Sequence, residues 1–230
     1  MAPGVRAVLF DWRGTLACTL DEQEWVSTAL RRLGRPVEAD GVAELGTALR
    51  AAEDDLDGPG VDSDADLHRR TYAEVFRRIG LDDDLAAALY AVESDPLLNP
   101  FADDVADVLG RLRDAGVRIG VVSDVHVDIR PAFAAAGLAE LVDAFTLSAE
   151  QGMQKPDPRM FTRTLDVLGA APAEALMVGD RSGPDGGAVE AGIPTLLLPP
   201  LRGPQDRRLD RVPALCGLSA PGRWGGPAPR

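Results

Sequence analysis

The segment VRAVLFDWRGTL, residues 5–16, decides the fold class of this chain. Its first six residues are mostly apolar, with β-branched valines, and this pattern predicts a short buried strand. The strand ends at Asp11, and Gly14 then interrupts the pattern, as a tight turn of the backbone requires. A carboxylate that directly follows a buried strand is a candidate functional group, because ligands bind at the carboxyl ends of strands in open α/β sheets.

Beyond Pro100, strands and helices alternate along the chain. Strands are predicted at 117–122, around Phe145, at 176–178 and at 195–198, with helices at 105–112, 129–136, 160–168 and 185–191. Such alternation requires right-handed crossovers and gives a parallel sheet that helices cover on both faces. We therefore predict an α/β fold, a doubly wound and mostly parallel sheet, formed by residues 1–16 and 100–218. The Pro- and Gly-rich residues 219–230 predict a disordered tail.

Residues 17–99 show a helical pattern and no strand signal. Apolar residues such as Trp25, Ala29 and Leu33 recur at spacings that place them on one helix face. The sequence Gly58-Pro59-Gly60 and the aspartates from 54 to 66 predict an exposed, flexible acidic loop between helices. We therefore expect a small helical domain inserted after the first strand.

The charge of the chain excludes several classes of partner. It has 230 residues with 24 basic and 37 acidic side chains, a formal charge of −13. A surface of this sign repels phosphates, so we expect neither nucleic acid nor a membrane surface as a partner. The apolar runs are too short to span a bilayer, and no basic-then-apolar leader precedes Val5. Two cysteines, Cys18 and Cys216, fit a reducing compartment, which predicts a cytoplasmic protein.

Five polar residues follow the predicted strands: Asp11, Ser123, Lys155, Asp180 and Asp185. Lys155 is the only lysine of the chain. If the strands are parallel neighbours, all five side chains meet at one edge of the sheet. Three carboxylates crowded together require a compensating cation, and Mg²⁺ is the natural partner of such oxygen ligands. Metal, ammonium and hydroxyl would together bind a phosphoryl group, which an aspartate can attack.

In order and spacing, four motifs resemble those of the haloacid dehalogenase-like (HAD) superfamily. They are FDWRGTL at 10–16, the strand-terminal Ser123, KPDP at 155–158, and Gly179-Asp180 with Asp185. The resemblance covers residues 5–199. It implies a Rossmann-like core, a C1-type helical cap at 17–99, and a hydrolase. Of the functions that the resemblance implies, the leading one is that of a Mg²⁺-dependent phosphatase. Such an enzyme would act on a small phosphorylated metabolite through an aspartyl-phosphate.

The resemblance also assigns roles to single residues. Asp11 is the expected nucleophile and a metal ligand, and the main-chain carbonyl of Arg13 is a second ligand. Asp180 and Asp185 are the acidic metal pair, although Asp185 could instead cap the helix that follows it.

Three further residues are expected to bind the substrate. Ser123 resembles the hydroxyl that binds a phosphoryl oxygen, and Lys155 the residue that neutralises both nucleophile and phosphate. Thr15 resembles the residue that orders the first loop beside them.

Arg13 departs from the family pattern. HAD phosphatases usually have an aspartate there, which protonates the leaving oxygen, and a guanidinium cannot release and take up a proton in this way. General acid–base catalysis contributes about 10²–10⁴-fold in rate, so hydrolysis of ordinary phosphomonoesters should suffer most and that of acyl phosphates least. From its sequence position, Asp21 is the candidate for a substitute acid.

Two other hypotheses stay open. The chain could be a catalytically silenced HAD scaffold that binds a ligand or partner, or a metal-free dehalogenase, against which the retained Asp180 and Asp185 argue. Phosphonoacetaldehyde hydrolysis is excluded, because it needs a cap lysine for a Schiff base and Lys155 is the only lysine. We expect a monomer or a homodimer with a small phosphorylated substrate, whose identity the sequence leaves open.

Overall fold

A computed structural model describes residues 4–218 of the chain. Its strands are β1 (Ala7–Phe10), β2 (Arg118–Ser123), β3 (Ala144–Leu147), β4 (Ala175–Gly179) and β5 (Thr195–Leu197). They form one sheet in the order β3-β2-β1-β4-β5, and every pairing is parallel. The α/β class and the parallel sheet predicted from the sequence are confirmed.

The α-helices of the described residues are α1 (Glu22–Arg32), α2 (Ala39–Arg50), α3 (Glu53–Leu56), α4 (Ala65–Arg78), α5 (Asp83–Glu93), α6 (Val105–Asp114), α7 (Arg130–Ala135), α8 (Ser148–Gln151), α9 (Pro158–Leu168) and α10 (Arg211–Leu215). Short 3-10 helices lie at Val61–Ser63, Pro96–Leu98, Ala139–Leu141, Pro172–Glu174 and Gly186–Ala191. The helix expected at 185–191 is therefore a 3-10 helix. None of the helices that the structure describes is long and apolar enough to cross a membrane.

The sheet is covered on both faces because successive strand side chains point to opposite sides. In β1, Val8 and Phe10 pack in one hydrophobic cluster with α6 and α10, whereas Ala7 and Leu9 pack in another with α9. Every residue of β1 is fully buried. The central strand therefore fixes the position of its successor, Asp11, between two packed layers.

The helices α1 to α5 all lie between β1 and β2 in the chain and have a hydrophobic cluster of their own. It contains Trp25, Leu49, Phe76 and Leu89, and the indole Nε1 of Trp25 donates to the carbonyl of Leu89 at 2.8 Å. We refer to residues 17–99 as the helical insert.

One region differs from the sequence expectation. The acidic stretch 54–66, expected to be a flexible loop, contains α3 and the 3-10 helix Val61–Ser63, with Leu56 and Val61 buried in the cluster of the insert. Within residues 100–218, which were assigned to the sheet domain from the sequence, Leu209 and Val212 pack in its core around α10. The predicted tail, 219–230, lies outside the described residues.

Candidate active site

The strand ends bring the predicted site residues together. Phe10 pairs with Val121 of β2 and with Val178 of β4, so the residues that follow these strands lie side by side. The Nζ of Lys155 donates to Asp11 Oδ1 and to Asp185 Oδ1, at 2.6 Å each. A lysine and two aspartates that are far apart in the chain thus form one buried network at the sheet edge.

Two glycines allow the carboxylates to approach the backbone. A Cβ on Gly14 would lie 2.4 Å from Asp180 Oδ2, and Gly14 has φ +82°, in the left-handed region. A Cβ on Gly179 would lie 2.3 Å from Cγ of Asp185. Both positions therefore require the absence of a side chain for the acidic pair to occupy its place.

Asp185 is fully buried and already has several hydrogen bonds. Besides Lys155, its carboxylate accepts the backbone N–H groups of Asp180 at 3.1 Å and Arg181 at 2.9 Å. Its side chain makes no capping hydrogen bond to the following 3-10 helix. The structure therefore favours Asp185 as a part of the acidic site that also shapes the loop after β4.

Thr15 contacts the acidic cluster through Asp180. Its hydroxyl donates to Asp180 Oδ1 at 3.2 Å, and its side chain is fully buried. Thr15 does not line the cavity described below, so its position favours the ordering of Asp180 over contact with a substrate.

Burial and crowding of negative charge set the electrostatics of the site. Burial raises the pKa of Asp11 to about 7, opposed by the ammonium of Lys155 and reinforced by Asp185. Burial also raises the pKa of Asp180, with Asp185 adding to the effect. For Lys155, burial acts to lower the pKa, but the carboxylates of Asp11, Asp124 and Asp185 outweigh it and keep the ammonium protonated.

The arrangement of the three carboxylates suits a bound cation. Ligand oxygens of Asp11, Asp180 and Asp185 lie within 4.8 Å of one another. The Oδ2 atom of Asp11 is buried and has no hydrogen-bond partner among the described residues. A buried carboxylate oxygen without a partner is costly, and a hard divalent cation would satisfy it and offset the excess negative charge.

Arg13 turns away from this cluster and toward the helical insert. Its Nη1 forms an ion pair with the Glu93 carboxylate, and its Nη2 donates to the Glu93 carbonyl at 2.9 Å and to Asn99 Oδ1 at 3.4 Å. The guanidinium also lies 5.2 Å from the ring centroid of Trp12. Arg13 therefore joins the loop after β1 to the end of α5.

A cavity of about 350 Å³ separates the sheet edge from the helical insert. From the sheet domain it is lined by Asp11, Arg13, Ser123, Asp124, Lys155, Asp180, Arg181 and Pro184. From the insert, α1 to α5 and the segments between them contribute the opposite wall, including Arg50, Asp57, Asp62, Tyr72 and Glu93. All the predicted strand-end residues except the buried Asp185 therefore face this space.

Two further contacts hold the insert over the cavity. Arg181 forms an ion pair with Asp57, and the Gly60 N–H donates to Gln154 Oε1 at 2.9 Å. Asp21, the substitute acid suggested by sequence, is instead exposed and accepts the Glu24 N–H at 2.7 Å as the N-cap of α1.

Sequence reasoning missed a second polar cluster, formed by Asp62 and His68 from the insert and His126 from the loop after β2. Atoms of the three residues lie within 4.8 Å of one another, and the two imidazole rings stack with centroids 3.4 Å apart and planes 16° apart. The nitrogen lone pairs of His68 and His126 lie in these two nearly parallel ring planes, so they do not point toward one metal ion. Burial lowers the pKa values of His68 to about 3 and of His126 to about 4, so both rings are neutral. No spacing in the sequence marks this contact.

Comparison with known proteins shows the family of the chain. The family model described as haloacid dehalogenase-like hydrolase matches residues 5–191. The chain belongs to this family.

The relatives of this HAD-like hydrolase include phosphatases and dehalogenases. It is 30% identical over 202 residues to a protein named glyceraldehyde 3-phosphate phosphatase from Methanopyrus kandleri, covering 84% of this chain and 83% of that one. A HAD phosphatase from Thermococcus onnurineus superposes with a TM-score of 0.64 at 24% identity, covering 94% of this chain and all of that one. An L-2-haloacid dehalogenase from Xanthobacter autotrophicus gives a TM-score of 0.64 at 24% identity, with coverages of 84% and 77%. The two superpositions show the fold alone.

Proposed function

We propose that this HAD-like hydrolase is a Mg²⁺-dependent phosphohydrolase that acts on a small phosphorylated metabolite through an aspartyl-phosphate. The observation that carries the proposal is the Asp11 carboxylate, with one oxygen bound to Lys155 and the other buried without a partner beside Asp180 and Asp185. A nucleophile in this state has one oxygen held in place and one available to a cation.

Asp11, Asp180 and Asp185 would hold the metal together with the main-chain carbonyl of Arg13, a ligand that remains a prediction. Bound there, Mg²⁺ supplies positive charge that polarises the phosphoryl oxygens of the substrate.

The residues of the chain perform the remaining tasks. Asp11 attacks phosphorus and becomes an acyl phosphate as the leaving oxygen departs. The Lys155 ammonium faces Asp11 from 2.6 Å and stabilises the charge on the phosphoryl group. Ser123, at the end of β2, lines the same cavity and would donate to a phosphoryl oxygen. Water then attacks the acyl phosphate and releases Asp11.

The substrate class follows from the cavity and from one relative. A volume of about 350 Å³ lies at the small end of ligand pockets and accommodates a small metabolite. The M. kandleri relative, which matches most of this chain, is named for a phosphorylated three-carbon aldehyde. We propose that the helical insert acts as the cap, closing this space and excluding water during the reaction.

The acidic pair disfavours a dehalogenase. Displacement of halide by an aspartate needs no metal, and a site for that chemistry gains nothing from two further carboxylates beside the nucleophile. The network from Asp11 through Lys155 to Asp185 also argues against a silenced scaffold, because Lys155 still donates to both carboxylates.

Phosphate and chloride release measured side by side test the proposal. The purified protein with Mg²⁺ should release phosphate from acetyl phosphate and, more slowly, from p-nitrophenyl phosphate, and EDTA should stop both. Asp11→Asn should remove the activity. Chloride release from 2-chloropropionate that survives EDTA would establish the dehalogenase, and binding of a phosphate ester without turnover would establish the silenced scaffold.

A further inference from the structure

With Arg13 in ion pair with Glu93, the proposed reaction lacks a group that can protonate the leaving oxygen. The substitute should be a carboxyl group that lines the cavity and is free of a cationic partner. Carboxyl groups of eight residues line this space: Asp11, Glu22, Glu53, Asp57, Asp62, Glu93, Asp124 and Asp180.

Six of these carboxyl groups have other tasks. Asp11 and Asp180 belong to the nucleophile site. Three pair with arginines: Glu22 with Arg50, Asp57 with Arg181, and Glu93 with Arg13. Asp124 Oδ1 accepts the backbone N–H of Lys155 at 2.8 Å and holds the lysine loop.

Of the two that remain, Glu53 is exposed at the start of α3, whereas Asp62 is half-buried. The Asp62 carboxyl has no arginine or lysine within ion-pair distance among residues 4–218. The neutral His68 lies beside it, with its Nε2 3.8 Å from Asp62 Oδ1. Asp62 is therefore the half-buried carboxyl group of the insert wall that has no arginine or lysine partner among the described residues.

The backbone around Asp62 is fixed to the sheet domain at two points. The Ser148 hydroxyl, at the start of α8, donates to the Asp62 carbonyl at 2.7 Å and accepts the N–H of Val125 at 2.7 Å. Two residues earlier, the Gly60 N–H donates to Gln154. A catalytic side chain needs such a fixed backbone, because misplacement by about 1 Å is costly in rate.

We propose that Asp62 of the helical insert is the general acid and base of the reaction, in place of the aspartate that Arg13 has replaced. This inference rests on the proposed function, and it deepens that function by naming the proton donor.

The proton balance closes over the two steps. In the first, Asp11 forms a bond to phosphorus, the bond from phosphorus to the leaving oxygen breaks, and the Asp62 carboxyl transfers its proton to that oxygen. In the second, the Asp62 carboxylate takes a proton from the water that attacks phosphorus, the bond to Asp11 breaks, and phosphate leaves. Asp62 is then protonated again, and the net reaction consumes one water.

The electrostatic surroundings agree with this role. Burial raises the pKa of Asp62 to about 7, so a protonated fraction is present near neutral pH. The charged and titratable groups that face it are Asp124, Arg13, Asp57, Glu93, Tyr72, His68 and His126. The three carboxylates raise the pKa of Asp62 further, and Arg13 lowers it.

The test is the dependence of rate on the leaving group in the full chain with Mg²⁺. Wild type and Asp62→Asn are compared on an alkyl phosphate, which needs a proton at the leaving oxygen, and on acetyl phosphate, which does not. We expect kcat/KM for the alkyl phosphate to fall by about 10²–10⁴-fold, and that for acetyl phosphate to change by less than about 5-fold. Asp66→Asn, the same change at an exposed site of α4, is the matched control and should leave both rates unchanged.

Each other outcome is decisive. An equal loss on both substrates would show a structural role for Asp62, and no loss on either would show that another group donates the proton. If Asp62→Asn does not fold, the wild-type enzyme itself decides, because its alkyl phosphate rate should fall above about pH 7 while its acetyl phosphate rate does not. A wild type that turns over neither substrate contradicts the proposed function as well, whereas an active wild type with an unaffected variant contradicts this inference alone.

Discussion

The two walls of the cavity differ in how their side chains are held. On the sheet wall, Asp11, Asp180 and Lys155 lie in the loops that follow strands. The hydrogen bond from Lys155 to Asp11 and the close approach of Asp180 to Gly14 hold them in place. On the insert wall, side chains are held by ion pairs with residues of the sheet domain. Examples are Glu93 with Arg13 and Asp57 with Arg181. The proposed nucleophile and metal ligands therefore depend on the sheet, whereas the proposed proton donor and substrate contacts depend on how the insert packs against it.

Removal of Lys155 is the strongest perturbation of the sheet wall. Lys155→Ala leaves two buried carboxylates unpaired, so we expect a loss of stability of about 3–5 kcal/mol and a fall in phosphate release of at least about 10³-fold. Denaturant unfolding and acetyl phosphate turnover measure the two effects. Arg163→Ala, on the exposed face of α9, is the control for loss of one positive charge. A Lys155→Ala protein that keeps wild-type turnover would show that the lysine is only structural.

The close approach of Gly14 to Asp180 gives a more specific test of the sheet wall. In Gly14→Ala the new methyl group meets Asp180, so we expect Mg²⁺ affinity in calorimetric titration to weaken by about 10–100-fold. Gly34→Ala is the matched control, because Gly34 also has a positive φ, +65°, but open space around its Cβ position. Both variants should lose some stability from backbone strain, and only Gly14→Ala should lose metal. Equal metal affinities would remove Asp180 from the metal site.

The ion pair between Arg13 and Glu93 provides a test of the insert wall. Arg13→Ala leaves Glu93 half-buried without its partner and should cost about 1–3 kcal/mol of stability, most of which Glu93→Gln should restore in the double variant. Arg13→Asp, which reinstates the usual family residue, places two carboxylates face to face. It should therefore raise alkyl phosphate hydrolysis only when combined with Glu93→Gln. A gain in the single variant would show that the Arg13 pair does not matter for closure.

The last prediction concerns Asp62 and the pH dependence of stability. Folding raises its pKa from 3.8 to about 7 through burial, so the folded chain retains a proton that the unfolded chain releases in this range. The resulting contribution to the free energy of unfolding is complete below pH 3.8, the pKa of the unfolded chain. It is lost as the pH rises to about 7, the pKa of the folded chain. The stability of Asp62→Asn relative to wild type should therefore increase across this range by about 1–4 kcal/mol. Parallel pH profiles of the free energy of unfolding would contradict a shifted pKa.

The sequence was informative where local pattern and topology coincide. Buried runs that end in Asp11, Ser123 and Asp180 predict parallel neighbouring strands, and these strands necessarily place their successors together. The strand bounds differ by one or two residues, as at β1, because pairing rather than composition ends a strand.

The insert wall could not be predicted in this way. The aspartates of 54–66 look like a solvated loop, yet packing of Leu56 and Val61 draws Asp57 and Asp62 to the cavity. The stacking of His68 on His126 joins residues that are 58 positions apart, and neither has a motif around it. Such contacts arise from tertiary closure, which leaves no period or spacing in the sequence.

The central claim is that Asp11 attacks phosphorus at a metal site formed by Asp180 and Asp185. The most direct test is the initial rate of phosphate release from acetyl phosphate by wild type and Asp11→Asn, each with Mg²⁺ and with EDTA. We expect release by wild type with Mg²⁺ only, and a fall of at least about 10³-fold in the variant. Equal rates in the two proteins, or wild-type release that EDTA leaves unchanged, would contradict the account.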